Sequence, residues 1–79
     1  MARIIDTSKK NLIGAGVKKY REAARMSQKQ LSEKLELLGV YVCRGSVSRI
    51  EDFSRTVTDI ELFAIASALG VEVKDLVSE

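Results

Sequence analysis

The sequence predicts an all-α domain of five short helices, on three grounds. Proline is absent from its 79 residues, so no locked φ interrupts a helix. Apolar residues recur at three- and four-residue spacings along most of the chain, the period of a helix that buries one face. Ser27-Gln28-Lys29-Gln30 and Thr58-Asp59-Ile60-Glu61 both have the form of a capping box. In that motif a hydroxyl takes a free amide and the side chain three residues on reaches back.

Residues 1–10 show no sustained helical period and read as a flexible N-terminal arm, leaving 11–79 as one domain. A chain of this length has room for a single core. Ile13, Val17, Tyr20 and Ala24 repeat at helical spacing as the stripe of the first helix, with Lys18, Lys19 and Arg21 off it. Ser27 opens the second helix, whose stripe is Leu31, Leu35 and Leu38. Gly39 ends it, since glycine accepts the left-handed conformation at low cost. The third helix is expected over about 43–52, with Val47 and Ile50 facing inward. At about 100° per residue, Gly45 and Arg49 then point outward, with Arg44 and Ser48 at the flanks. A narrow apolar seam beneath an exposed face of small and basic residues suits insertion into a groove. Residues 53–57 form a loop. Thr58 caps the fourth helix, whose stripe is Leu62, Ile65, Ala66 and Leu69 and whose stop is Gly70, and Val73, Leu76 and Val77 mark a short fifth.

Composition narrows the function. An apolar fraction of 46% with 30% charged residues describes a folded globular chain. No apolar run is long enough to span a bilayer and no signal peptide opens the chain, so no membrane association is expected. With no histidine and only Cys43, neither a zinc site, a cofactor-bearing cluster, an internal disulfide nor an imidazole base is expected. The single cysteine points to the cytoplasm. No paired carboxylates or nucleophile with its base stand out, so the chain does not read as an enzyme. The net charge of +2 is unevenly spread. Residues 1–35 carry nine basic against three acidic side chains, and residues 59–79 one against five. A fold that exposes the front half on one surface offers that surface to phosphates.

The ordered set Ser27-Gln28, Leu31, Val47-Ser48-Arg49-Ile50-Glu51, Leu69-Gly70-Val71 and Leu76 resembles the phage-repressor and Cro-type (XRE-like) helix-turn-helix family. The resemblance covers roughly residues 12–77. It implies a compact five-helix repressor-like domain whose second and third helices bind double-stranded DNA. It carries over a backbone contact to Gln28, base reading to Arg44, Gly45 and Ser46 with Arg49 one turn on, and a phosphate contact to Arg55. The chain departs from the family in two places. Its link between the second and third helices is several residues longer, with Glu36 to Tyr41 holding an extra turn or a loop. Asp52-Phe53 stands where an early glycine is usual, so a different backbone is expected there.

Arg44 and Arg49 carry most of the expected specificity, because a guanidinium forks onto guanine O6 and N7 for roughly 1–3 kcal/mol of discrimination. Gly45 lets the helix approach the bases or is simply tolerated near a helix end. Ser46 and Ser48 donate to DNA or bond their own backbone. Lys29, Arg25, Lys10 and Arg55 are candidates for phosphate contact or ordinary surface. Cys43 is a small hydrophobe at the start of the third helix, or a thiol whose pKa the helix dipole lowers. The leading expectation is a transcriptional regulator, in its simplest form a repressor, that binds a near-palindromic operator as a homodimer. A protein-interaction or antitoxin-like module on the same fold is the alternative.

Overall fold

The computed structural model describes residues 8–77. Five helices follow one another: α1 (Gly14–Ala23), α2 (Gln28–Leu37), α3 (Arg44–Glu51), α4 (Asp59–Leu69) and α5 (Val73–Leu76). No strand occurs among the described residues. The arm expected over 1–10 lies mostly outside them. Of its last three residues, Lys10 donates its amide to the Phe53 carbonyl (3.0 Å) and Lys9 Nζ sits 4.3 Å from the Phe53 ring centroid.

Local chemistry sets the helix ends. Ser27 Oγ accepts from the Gln30 amide (3.0 Å) and Gln30 Oε1 accepts from the Ser27 amide (2.8 Å), so both halves of the first capping box are made. Thr58 and Glu61 repeat the arrangement at α4, where Asp59 and Glu61 also complement the helix dipole. Gly39 and Gly70 take φ of +84° and +69° just beyond α2 and α4, as expected of left-handed stops. At α1 the capping side chain is Asn11. Its Oδ1 accepts from the amides of Ile13 (3.0 Å) and Gly14 (2.8 Å), while its Nδ2 donates to the carbonyls of Ile50 (3.0 Å) and Arg55 (2.9 Å). One buried amide thus starts α1 and ties it to the segment after α3.

The core gathers one seam from every helix. Ile13, Val17, Leu31, Leu35, Val47, Ile50, Ile65 and Leu76 are buried, with Val42 from the α2–α3 link. Each such aliphatic side chain contributes roughly 1.5–3 kcal/mol by leaving water. α1 packs so closely on its neighbours that only glycine fits at two points. A Cβ on Gly14 would lie 2.5 Å from the Ile50 carbonyl oxygen, and one on Gly16 would run into the backbone of Leu76.

Three stripe assignments need correction, each because the helix ends before the stripe does. Ala24 is the C-cap of α1 and exposed, and Arg25 then turns the chain with φ +55°. Leu38 is the C-cap of α2 and 48% exposed. Val77 follows α5 in an extended conformation and is also exposed. The backbone at Phe53 adopts φ +67°, the left-handed conformation a glycine takes at less cost. Phe53 is held there by the Lys10 amide, with its ring between Lys9 and α1.

Candidate nucleic-acid interface

α3 lies against α1 and α2 through Val47 and Ile50, both 1% exposed. The opposite side of the same helix carries Arg44, Gly45 and Arg49, all exposed, with Ser46 and Ser48 half-buried at the margins. The inward and outward sides fall where the helical period puts them. Cys43 is the extended N-cap residue, so Arg44 and Gly45 open the first turn.

Arg49 does not stand straight out. Its guanidinium leans back over the first turn, where Nη2 donates to Ser46 Oγ (3.3 Å). Nη1 lies 3.5 Å from the position a Cβ on Gly45 would take. A methyl at Gly45 would therefore only touch the end of Arg49. Arg44 has no hydrogen-bond or ion-pair partner among the described residues. Cys43 Sγ is 3.3 Å from Ser46 Oγ. That hydroxyl, with the Ser46 and Gly45 amides and the charge of Arg49, holds the thiol pKa below its ordinary value against a smaller opposing effect of burial.

A charged clamp ties the end of α3 to α1 and α2. Glu51, the last residue of α3, accepts from Arg21 Nε (2.7 Å), Arg21 Nη2 (3.0 Å) and Gln28 Nε2 (3.1 Å). Arg21 Nη1 also donates to the Met26 carbonyl (2.7 Å) at the α1–α2 turn. The hydrogen bond to Glu51 raises the Arg21 pKa, opposed by burial. Arg21, expected off the apolar stripe of α1, is thus mostly covered. Residues from α1, α2 and α3 meet at one carboxylate, and Gln28 sits in the first turn of α2 with its amide oriented by it.

Of the other expected contacts, Lys10 and Lys29 are exposed. Arg55 differs. Its guanidinium makes a two-pronged pair with Glu61 (Nη1–Oε1 3.0 Å, Nη2–Oε2 2.9 Å) and donates to the Thr56 carbonyl (3.0 Å). The hydrogen bond to Glu61 raises the Arg55 pKa and the hydrogen bond to Arg55 lowers that of Glu61, each opposed by burial. Its first task is to close the loop after α3 onto the start of α4. Because the folded pKa of Glu61 is depressed, the pair stabilises the fold above the ordinary glutamate pKa of about 4.3 and is lost as pH falls through the folded value. Thermal melts from pH 6 downward are therefore expected to drop less steeply for Glu61→Gln than for the parent. Parallel curves would contradict that.

Sequence reasoning missed the clamp. Arg21 and Glu51 are thirty residues apart, so no helical period links them. The one available signal was a basic residue on α1 close to the apolar seam.

Two adjoining helices, the second presenting small and basic side chains to solvent over a firmly seated apolar seam, define a helix-turn-helix DNA-binding domain. The helix-turn-helix (HTH_3) family model matches residues 17–76, and the chain belongs to that family, a DNA-binding transcriptional regulator and not an enzyme. Two solved structures share the fold. The restriction-modification controller protein C.AhdI from Aeromonas hydrophila is 26% identical at a TM-score of 0.70, over 81% of this chain and 86% of that one. The DNA-binding domain of BldD is 23% identical at a TM-score of 0.73, over 94% of this chain and all of that one. No curated protein matches the chain. Among the described residues no helix is long and apolar enough to cross a membrane.

Proposed function

We propose that this chain is a sequence-specific transcriptional repressor of the cytoplasm that binds a near-palindromic operator as a homodimer. It places α3 in the major groove. The carrying observation is the two-sidedness of α3: Val47 and Ile50 are sealed into the core while Arg44, Gly45 and Arg49 face outward. Arg44 and Arg49 read base edges, Gly45 and Ser46 allow close approach, and Lys29, Lys10, Ser48 and the first turn of α2 at Gln28 meet the phosphates. Arg49 exchanges its weak bond to Ser46 for a base. Arg55, already paired with Glu61, adds its field more than a direct contact. Self-association has support in α4, where Ile60 and Phe63, one turn apart, are 68% and 71% exposed. The likeness to a controller protein fits a small regulator of transcription.

Selection of bound sites from random duplex DNA tests this reading. The parent is expected to yield an inverted repeat with half-sites about 34–36 Å apart. Arg44→Ala and Arg49→Ala are each expected to relax preference at particular positions, with about tenfold weaker binding to the selected site. Recovery of unselected sequences, or an even loss of affinity on every duplex, would remove base reading from α3.

A further inference from the structure

The link between α2 and α3 is where this chain carries residues beyond a tight turn, and it is apolar and uncharged from Leu38 to Cys43. Val42 is buried at 1% exposure and anchors the link in the core. Its neighbour Tyr41 is 74% exposed and has no hydrogen-bond partner among the described residues. Tyr41 stands two residues ahead of Cys43, the N-cap of α3, so its Cα is no more than about 7 Å from that of the cap.

We propose that Tyr41 is a further DNA-contacting residue, its phenol hydroxyl donating to a phosphate at the wall of the groove that α3 enters. The inference rests on the reading of α3 given above. The major groove is about 12 Å wide, so a side chain leaving the protein one short step before the inserted helix end arrives at the flanking backbone. Tyrosine belongs to the side chains that bond phosphate oxygens. No carboxylate in the link repels the duplex, and the next charge along the chain is Arg44. Two consequences set this contact apart from the basic ones. A phosphate contact carries no sequence information, and a neutral donor releases no condensed cation, so it adds nothing to the salt slope.

The test titrates the parent, Tyr41→Phe and Tyr41→Ala with a selected duplex and an unrelated duplex at several salt concentrations. Both variants are expected to bind about tenfold more weakly, by the same factor on both duplexes. The slope of log affinity against log salt should match the parent's, and so should the thermal melts, because the side chain is exposed. Lys29→Ala, by contrast, should flatten the slope by about one unit. Tyr41 variants within twofold of the parent would overturn the contact, as would a loss confined to the selected duplex. A change in sedimentation with DNA affinity intact would overturn it too, and would assign the link to a protein partner. If the parent itself binds no duplex, the reading of α3 fails; if the parent binds and the variants match it, Tyr41 alone fails.

Discussion

Gly16→Ala is expected to lower the thermal midpoint by roughly 10–20 °C, a loss of about 3 kcal/mol. In an exposed helix interior the same change gains up to about 1 kcal/mol, because alanine has less backbone freedom to lose. The sign reverses here because the new methyl would overlap the backbone of Leu76. Backbone cannot turn aside as a flexible side chain can. α5 must lift from α1, and Leu76, which is fully buried, loses its seat. Gly45→Ala is the matched comparison, since its methyl would meet only the end of Arg49 at 3.5 Å. It should melt at or slightly above the parent. A Gly16→Ala protein as stable as the parent, by circular dichroism, would show that α5 does not press on α1 as described.

Glu51→Ala is expected to cost about 2–4 kcal/mol, a little below the range for breaking a fully buried pair, because Arg21 keeps some solvent contact. The side chains of Arg21 and Glu51 are 11% and 5% exposed. Removing the carboxylate strands a mostly covered guanidinium and frees Gln28 as well. Replacing both partners by apolar residues, Arg21→Met with Glu51→Leu, should be less damaging than either single change. Urea midpoints of the parent, both single variants and the double variant measure the coupling. Additive losses would mean that the two side chains do not act as a pair. DNA affinity of the double variant is the more telling reading for function. If the clamp sets the tilt of α3, that variant folds yet binds weakly.

What the sequence displayed was whatever is local. Both capping boxes, the stops at Gly39 and Gly70, and the seam of Val47 and Ile50 depend on residues within one or two turns of each other. Their spacing is therefore visible along the chain. Where a stripe was carried past its helix, as to Ala24 and Leu38, periodicity gave no notice of the turn that exposes them. The contacts that hold the site together run the other way. Arg21 meets Glu51, and Asn11 meets the carbonyls of Ile50 and Arg55, across thirty residues or more. Pairings of that kind are decided by how helices stack. The pairing of Arg55 with Glu61 was hidden for a related reason: Glu61 was legible only as half of a capping box.

The contacts at Phe53 join the first described residues to the exit of α3. Lys9 rests on that ring and Lys10 is bonded to that carbonyl, so two basic residues from the front of the described chain are pinned beside the end of α3. On the proposed docking of α3, substituting either lysine would change the charge beside the helix that enters the groove.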